Sequence, residues 1–400
     1  MEFNLEDELV RYNEAVWHPS DKHLANEIKN ESSLLDKPLS TNSSVPGNIH
    51  SPEYLEYWRQ ILGVDDNFIR FLKDGYALPF KNGVPPPVFA KNNKSFMEKI
   101  EFGIEEIERL EKLGCIEKVK VQPTIVLPLS VVHSGKWRVV VDASRHLNPY
   151  LEERHVKLET LDEAELSVQQ GDYQAISDLD SGYWHVKIHE DFQHFLGISY
   201  EDKEGVRHFY QWKVLFLGLS DAVRLFTKVL KPLRAHLYRN GIRHNLYIDD
   251  LRVLGKSQRE CAKNNNFALH ALRSAGWIVK KEKSSEPVQS AKFLGQISDL
   301  ENMRYFCPED KRDKIFELID YVVDRKKVHV KQLARVYGKI VSNRHSLGDV
   351  TRLMTRSGFR VISQAFSWNS YVEVTEDVVF ELMFFKQNWK DLDGCQIRMD

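Results

Sequence analysis

The chain has 400 residues, of which 42% are hydrophobic and 28% are charged, and its formal net charge is only -2. This composition excludes wholesale disorder, and the length leaves room for about two or three domains. A net charge so close to zero gives no sign of a basic nucleic-acid-binding protein when the chain is taken as a whole. The four cysteines lie far apart, which excludes a disulfide scaffold and the usual zinc modules.

The N-terminal residues carry no recognisable export signal. They are acidic and lack an apolar run after a basic patch, so we expect no signal peptide. No stretch reaches about 18 uninterrupted apolar residues, so we expect neither a membrane span nor a membrane partner. The resulting expectation is an intracellular protein of the cytoplasm or the nucleus.

The first quarter of the chain changes from polar to apolar. Residues 1–50 are polar and acidic and are predicted to form a flexible leader. Residues 96–113 repeat apolar side chains at spacings of three and four, which predicts an amphipathic helix. Gly114 stands where a C-terminal cap belongs. Short strands are then expected over residues 119–121, 124–127 and 137–141.

The rest of the chain alternates strand and helix patterns. Residues 246–254 form two short apolar runs around Asp249 and Asp250, which predicts a β-hairpin. Further strands are expected over residues 173–179, 184–188, 207–214 and 293–297, and helices over 221–238, 258–275 and most of the chain after 308. This order predicts an α+β fold with an antiparallel core, followed by a helical third.

Three aspartates stand out in the predicted strands. Asp249 and Asp250 lie at the hairpin tip, and an isolated pair of this kind is most often a solvated turn. Here the flanking residues are apolar, and two acids between buried strands repel each other unless a cation neutralises them. Asp178 lies in another predicted strand, where a carboxylate is costly unless it is paired, metal-bound or at a solvent-facing end. If the two strands are neighbours, the carboxylates can hold two Mg²⁺ ions for in-line nucleotidyl transfer.

These residues carry a family resemblance. Residues 247–251, with the sequence YIDDL, resemble the Y-x-D-D hairpin of reverse transcriptases, and residues 178–183 resemble the first catalytic motif of that family. Four more stretches follow the family order and resemble its fingers motif, its F-G-L-S-x-A-P motif, its lysine motif and its primer grip: residues 135–142, 216–222, 276–284 and 293–295. The tetrad alone is a weak signal, whereas six motifs in order are specific.

The resemblance covers roughly residues 55–390 and implies a right-hand polymerase. It implies N-terminal helices and fingers over 51–170, a palm with the primer grip over 171–300, and a helical thumb or connection over 301–400. Residues 224–232 and 276–295 look most like DIRS-type retrotransposons, with the gypsy type as the next alternative. The implied activity is that of an RNA-directed DNA polymerase of a mobile element. Such an enzyme extends a primer on an RNA or DNA template with dNTPs and two Mg²⁺ ions, for which Mn²⁺ is a substitute.

The resemblance also assigns roles in catalysis. Asp178 and Asp249 match the metal ligands of the family, with Asp250 close by and the carbonyl group of Leu179 as a further ligand. Lys283 matches the lysine that protonates the leaving pyrophosphate, although it also fits a surface lysine in a charged run.

The resemblance assigns the binding residues in the same way. The implied nucleotide-binding residues are Lys136, Arg138, Leu179, Tyr183, Leu217 and Gly218, with Tyr183 as the ring that excludes a ribose 2′-hydroxyl. The implied primer contacts are Tyr247, Phe293, Leu294 and Gly295. Ordinary core packing is an alternative explanation for Tyr183 and for residues 293–295. A solvated strand face is the alternative for Lys136 and Arg138, and a simple turn glycine is the alternative for Gly218.

Some positions depart from the family pattern. Leu217 and Val223 stand where the family usually has phenylalanine and proline, and Arg252 and Val253 follow the hairpin where the family is often more uniformly apolar. No RNase H, protease or integrase motif is evident up to residue 400. A catalytically weak or domesticated descendant that only binds nucleic acid is therefore a second hypothesis. An RNA-dependent RNA polymerase is a third, against which Tyr183 and the fingers motif argue.

The near-zero net charge conceals opposite local charges. Residues 1–70 contain thirteen acids and six bases, whereas residues 325–360 contain ten bases and a single acid. In the basic stretch, Lys331, Arg335 and Lys339 recur every four residues and therefore share one helix face. A charge run is usually a solvated face, but a one-signed face in the implied thumb favours contact with the phosphates of the template and primer.

Overall fold

The computed structural model describes Gly47 and residues 49–279 and 286–397 of the chain. The predicted leader thus lies almost wholly outside the described residues, and so does Lys283. Within the described part of the chain, no helix is long and apolar enough to cross a membrane.

The α-helices are concentrated at the two ends of the described chain and around the central sheet. In chain order they are α1 (Pro52–Gln60), α2 (Asp66–Asp74), α3 (Lys94–Met97), α4 (Ile100–Lys112), α5 (Leu161–Glu165), α6 (Glu190–Gln193), α7 (Ala222–Arg239), α8 (Gln258–Ser274), α9 (Glu309–Val323), α10 (Val330–Val341), α11 (Arg344–Leu347), α12 (Val350–Leu353), α13 (Arg356–Ser363) and α14 (Glu376–Leu392). Two short 3₁₀ helices cover Asn148–Tyr150 and Gly182–His185.

The strands form several small sheets. They are β1 (Val88–Phe89), β2 (Ile116–Val119), β3 (Ile125–Val126), β4 (Leu129–Ser134), β5 (Lys136–Val141), β6 (Tyr173–Asp178), β7 (Gly197–Glu201), β8 (Arg207–Trp212), β9 (His244–Tyr247), β10 (Asp250–Gly255), β11 (Ser290–Phe293), β12 (Gln296–Asp299), β13 (Arg304–Phe306), β14 (Lys327–His329), β15 (Tyr371–Glu373) and β16 (Cys395–Gln396). Nearly all the pairings are antiparallel, the exceptions being β1 with β3 and β3 with β7.

The central sheet has the strand order β6-β10-β9, and both of its pairings are antiparallel. Side chains alternate along β10, so that its two faces differ. Leu251 and Val253 belong to the main hydrophobic core with α7 and α8, whereas Leu254 belongs to a smaller core with Phe293 and Tyr305. The sheet is therefore covered by helices on one face and by the β11–β13 region on the other.

A five-stranded sheet has the order β1-β3-β7-β8-β2. Beside it, β4 and β5 form a separate hairpin, in which Gly135 has the positive φ of 74° that the tight turn requires. The side chains of Lys136, Trp137 and Arg138 on this hairpin are exposed. The hairpin thus presents cationic groups to solvent from the region of the predicted fingers.

A four-stranded sheet, β11-β12-β13-β16, follows the central sheet. Strands β11 and β12 form a hairpin whose two turn residues, Leu294 and Gly295, both have positive φ. This sheet is fastened to β6 because Gln174 and Ser298 exchange buried side-chain hydrogen bonds, at 2.8 Å to the Ser298 carbonyl oxygen and 2.9 Å from its hydroxyl. The turn of the hairpin is thereby held at a fixed place relative to the central sheet.

The C-terminal helices α9, α10, α13 and α14 enclose a separate hydrophobic cluster. At its centre the buried carboxylate of Glu381 accepts hydrogen bonds from the hydroxyl of Tyr337 and from the amides of Ser357 and Gly358, at 2.9, 2.7 and 3.0 Å. These bonds satisfy free amides at the start of α13 and hold it against α10 and α14. The division of the chain at residues 170 and 300 stays a prediction.

Four predicted elements differ from the structure. The strand expected over 119–121 is β2, which runs over Ile116–Val119 and ends there. The helix expected over 96–113 is interrupted at Glu98 and Lys99, so it forms α3 and α4, although Gly114 has the expected left-handed φ of 72°. The strand expected over 184–188 is partly a 3₁₀ helix, because the left-handed Ser181 turns the chain after β6. Residues 293–297 are not one strand but the end of β11, a turn and the start of β12.

Candidate active site

The carboxylates of Asp178 and Asp250 lie in one row across the central sheet. Asp250 pairs in register with Asp178 on β6 and with Tyr247 on β9. Residues directly opposite each other in antiparallel strands project from the same face, with Cβ atoms about 4.5–5.5 Å apart. Asp178 is 7% exposed and Asp250 is half-buried, so this row combines two nearby acids with limited access to water.

Asp249 lies at the tip of the β9–β10 hairpin. Because Tyr247 pairs with Asp250, the turn consists only of Ile248 and Asp249, and Ile248 has a left-handed φ of 52°. The carbonyl oxygen of Asp249 accepts a hydrogen bond of 2.9 Å from the amide of Leu179. The tip is therefore joined to the residue that follows Asp178, which gathers all three aspartates at one end of the sheet.

Oxygen ligands of this kind suit a hard divalent cation. The donor set is composed of carboxylates, and the closeness of Asp178 and Asp250 favours a cation that offsets their mutual repulsion. Another grouping of three potential ligand atoms, all within 4.8 Å of one another, occurs in the described residues at Asp162, Glu165 and His345. There the guanidinium group of Arg344 already binds the carboxylate of Asp162 at 2.7 Å, so an arginine supplies positive charge at this cluster without a metal ion.

Tyr183 lies beside the aspartates on the 3₁₀ helix that follows β6. Its ring centre is 5.2 Å from that of Phe226 on α7, and the chain approaches Phe226 so closely at Gly182 that an added Cβ would lie 2.6 Å from the phenyl ring. Burial raises the pKa of Tyr183 above its ordinary value, and the charge of Asp249 and the hydroxyl of Tyr247 raise it further. The phenol is therefore neutral and close to the hairpin tip.

Gly218 and Leu217 lie on a loop between β8 and α7. A Cβ added to Gly218 would lie 2.4 Å from the carbonyl oxygen of Val141, and its φ is 125°, so only glycine fits here. Asn148 fixes the loop by donating to the Gly218 carbonyl oxygen at 2.9 Å and accepting from the Ser220 amide at 3.0 Å. The side chain of Leu217 is 61% exposed.

The loop is thus packed against the end of β5, the strand that carries Lys136 and Arg138. Both cationic side chains lie on the exposed face of the hairpin, two residues apart. Arg138 pairs in register with Val132 on β4. Four of the six implied nucleotide-binding residues, Lys136, Arg138, Leu217 and Gly218, therefore lie on two touching elements. Asn148, which fixes the loop, received no role from the sequence.

Sequence reasoning also missed a buried polar cluster behind this loop. Asp221 binds Arg224 through two hydrogen bonds, one of them 2.7 Å long, and accepts a short hydrogen bond from the hydroxyl of Tyr76. Burial and the charge of Asp221 raise the pKa of Tyr76. The cluster anchors the start of α7 to the chain after α2. The only sequence signal for it is an acid and a base three residues apart in an apolar helix.

The β11–β12 hairpin contains the residues implied for the primer grip. Phe293 is 2% exposed, so its side chain packs in the core rather than at the surface. Its ring lies 4.4 Å from the guanidinium carbon of Arg252, a residue of β10 that is itself fully buried. The half-buried turn of Leu294 and Gly295 is what remains for contact with a partner.

The basic row of α10 lies on the surface of the C-terminal helices. Arg335 and Lys339 line a groove of about 350 Å³ between α9 and α10, together with Lys314, Glu317 and Tyr321. Lys331, at the start of α10, donates a hydrogen bond of 3.0 Å to the side-chain oxygen of Asn369. The three residues thus share a helix face as the spacing predicts, with two of them in the groove.

Comparison with known proteins supports the sequence resemblance. The family model described as "Reverse transcriptase (RNA-dependent DNA polymerase)" matches residues 131–298. The genome polyprotein of Petunia vein clearing virus is 25% identical over 223 residues, which are 54% of this chain and 10% of the polyprotein. The Transposon Tf2-3 polyprotein of Schizosaccharomyces pombe is 23% identical over 251 residues, 62% of this chain and 17% of the polyprotein. This chain therefore matches less than a fifth of each of these relatives.

Solved structures show the same architecture. The foamy viral protease-reverse transcriptase in complex with an RNA/DNA hybrid superposes with a TM-score of 0.63 and 19% identity, over 89% of this chain and 48% of the other. The same protein in complex with dsDNA gives a TM-score of 0.63 over 86% of this chain and 73% of the other. The predicted α+β right-hand polymerase fold is confirmed. Residues 131–298 are therefore similar to the reverse transcriptase domain of retroelement polyproteins.

Proposed function

We propose that this chain is an RNA-directed DNA polymerase of a mobile element, most similar to the DIRS type and next to the gypsy type. The observation that carries the proposal is the strand register that sets Asp178 beside Asp250, with Asp249 bonded through its carbonyl oxygen to the Leu179 amide. Nucleotidyl transfer needs acidic oxygen ligands at one point, and this register supplies them.

The metal ligands would be the side chains of Asp178, Asp249 and Asp250 and the carbonyl group of Leu179. When bound, two Mg²⁺ ions, or Mn²⁺ ions in their place, activate the primer 3′-hydroxyl and stabilise charge on the leaving pyrophosphate. The protein itself keeps Asp178 and Asp250 opposite each other through the β6–β10 ladder. It keeps Asp249 close by restricting the turn to two residues.

The incoming dNTP would bind between the β4–β5 hairpin and the loop at Gly218. Arg138 and Lys136 would bind its triphosphate, because a guanidinium fork and an ammonium group suit phosphate oxygens. The bare backbone at Gly218 and the exposed Leu217 would lie along the nucleotide, with Tyr183 under the sugar. Lys283, which lies outside the described residues, would act as the general acid.

The template and primer would lie along the row of Lys331, Arg335 and Lys339. The foamy viral relatives were solved with an RNA/DNA hybrid and with dsDNA, which supports a duplex as the partner. Tyr247 and the turn of Leu294 and Gly295 would contact the primer end, while Phe293 would support that turn from the core.

Primer extension tests the proposal directly. The purified chain is incubated with an oligonucleotide primer on RNA or on DNA, with Mg²⁺ or Mn²⁺, and with either dNTPs or rNTPs. We expect extension with dNTPs on both templates and little extension with rNTPs. Absence of dNTP incorporation with either metal ion would contradict a polymerase.

The basic row makes a separate prediction about binding. Changing Arg335 and Lys339 together to glutamine should weaken binding of an RNA/DNA hybrid and lower the slope of log Kd against log salt by about 2, since each lost phosphate contact removes about 0.9. Fluorescence anisotropy at several salt concentrations measures this slope. The control is the double change of Arg312 and Lys386 to glutamine, because these residues are already bound to Asp313 and Asp320. Equal slopes for both double variants would contradict a role for the row.

The second candidate is a protein that binds a primer–template without extending it. It is favoured by Leu217 and Val223, which depart from the family pattern on the loop and helix of the proposed nucleotide site. The two assays separate the candidates. Binding that depends on Arg335 and Lys339, without dNTP incorporation, would favour the second.

A further inference from the structure

Arg252 is a fully buried arginine of the β9–β10 hairpin, which carries Asp249 and Asp250. It lies on β10 two residues after Asp250, so both side chains project from the same face of the sheet, about 7 Å apart along the strand. The proposed polymerase mechanism uses the aspartates and gives Arg252 no role. The contacts that Arg252 makes therefore need a separate explanation.

The guanidinium group of Arg252 contacts three different elements. On β9, the side-chain oxygen of Asn245 accepts from its Nε and Nη2 atoms at 2.8 and 2.6 Å. On α5, the carbonyl oxygen of Ala164 accepts from Nη2 at 3.0 Å. On β11, the ring of Phe293 lies 4.4 Å from its guanidinium carbon. One side chain thus joins both strands of the β9–β10 hairpin to Phe293, the last residue before the turn of Leu294 and Gly295.

Simple packing does not account for an arginine at this place. Its hydrogen-bond acceptors are the neutral amide of Asn245 and a backbone carbonyl group. The phenol of Tyr305 lies beside it, and the carboxylates of Glu159 and Glu165 act on its charge from further away. Replacement of a buried charged group by an apolar side chain of similar volume is often neutral or stabilising. What an apolar side chain would lack is the planar fork that binds Asn245 and stacks on Phe293 at once.

We propose that Arg252 is a positioning residue that sets the distance between the catalytic aspartates and the primer end. This inference rests on the proposed function, because it concerns the same reaction. The aspartates lie on the β9–β10 hairpin and the proposed primer contact lies on the β11–β12 hairpin. Arg252 fixes the second hairpin against the first, so that the primer 3′-hydroxyl meets the aspartates. Arg252 itself contacts neither the primer nor the nucleotide.

The test compares Arg252→Met and Arg252→Lys with the unchanged protein in single-turnover extension. We expect both variants to bind primer–template within about twofold of the unchanged protein, because phosphate contacts dominate that affinity. The rate of nucleotide addition should fall about ten- to hundredfold, the effect of a small misplacement of reacting groups. Lysine should not rescue the rate, since it lacks the planar fork. Full rescue by lysine would overturn the proposal, because charge alone would then suffice.

The matched control is Arg243→Met. Arg243 is bound to Asp172 at 2.5 and 2.7 Å and likewise anchors the central sheet, but it lies at the far end of β9 from the hairpin tip. We expect it to lower the unfolding temperature without changing the rate of nucleotide addition below that temperature. An equal loss of rate in both methionine variants would show a general effect of destabilisation and would overturn the proposal.

A double-mutant cycle with Phe293→Leu tests the contact itself. If Arg252 acts through Phe293, the double variant should be no slower than the slower single variant, because both changes break one linkage. Multiplied losses would mean independent effects and would overturn the proposal. If the Arg252 variants do not fold, Phe293→Leu alone still tests the proposal. This variant should lower the rate of nucleotide addition and leave the affinity for primer–template unchanged. A normal rate in that variant would overturn the linkage.

A signal that does not need catalysis separates this inference from the proposed function. The base analogue 2-aminopurine, placed at the primer 3′ end, changes its fluorescence with stacking and so reports how that end is held. We expect Arg252→Met, but not Arg243→Met, to shift this signal in the bound complex. If the unchanged protein binds but does not extend a primer, the polymerase proposal fails while the shift still tests Arg252. Identical signals for all three proteins would overturn the role of Arg252.

Discussion

Replacing Asp249 with asparagine should lower the rate of dNTP incorporation at least about a hundredfold. The change removes one negative charge and one of the proposed metal ligands, and metal ions contribute several kcal/mol to such reactions, where each 1.36 kcal/mol is tenfold in rate. The backbone bond from the Leu179 amide to the Asp249 carbonyl oxygen does not involve the changed group. Single-turnover primer extension with saturating dNTP measures the effect.

The matched control for this change is Asp180→Asn. Asp180 lies two residues after Asp178, and its carboxylate accepts a hydrogen bond from the hydroxyl of Ser181 at 3.1 Å rather than joining the row of Asp178 and Asp250. The Asp180→Asn variant loses the same charge close to the site, so it controls for the effect of a changed local charge on the rate. Asp249→Asn with an unchanged rate, or a loss as large in Asp180→Asn, would contradict the proposed metal ligands.

Replacing Tyr183 with alanine should raise the use of rNTPs relative to dNTPs by about ten- to hundredfold, the range in which a small group in a pocket is discriminated. The ring is held next to Phe226 and close to the hairpin tip. In the proposed role it would lie under the sugar and leave no room for a 2′-hydroxyl. The ratio of kcat/KM for a matched dNTP and rNTP pair is the quantity to measure.

Tyr183→Phe distinguishes the ring from the hydroxyl. If the ring excludes the ribose, phenylalanine should keep the preference for dNTPs, because it retains the same flat surface. A sugar preference that is unchanged in Tyr183→Ala would contradict this role. Loss of preference in Tyr183→Phe would instead transfer the role to the hydroxyl, which lies near Tyr247 and Asp249.

The aspartates could be found in the sequence because their setting is local. Asp249 and Asp250 lie between two apolar runs, and that pattern alone specifies a hairpin. Asp178 stands out because an acid in a strand needs a partner. The pattern did not give the register, in which Asp250 begins β10 and only Ile248 and Asp249 form the turn. A two-residue turn with isoleucine at positive φ runs against local preference, so tertiary packing must impose it.

The parts that escaped prediction depend on distant residues or on unusual backbone. The run from Phe293 to Ile297 is apolar enough for a strand, and nothing in a leucine signals the left-handed turn at Leu294. Arg252 looks misplaced in an apolar hairpin until its partners are known, and one of them, Ala164, lies 88 residues away in the chain. Tyr76 and Asp221 are 145 residues apart. Contacts of this range leave no trace in periodicity or spacing.

The left-handed residues have a consequence for efforts to make this protein more heat-stable. Of the four non-glycine residues with positive φ among those described, Ser181 and Ile248 lie close to the aspartates in the chain, and Leu294 belongs to the proposed primer contact. Such conformations cost about 1–3 kcal/mol each, so glycine at these positions would relieve strain. Glycine would also make the turns of the β9–β10 and β11–β12 hairpins more flexible. Glycine substitutions at these positions would therefore stabilise the protein most where they would also endanger its activity most. Stabilising changes are better sought in the C-terminal helices.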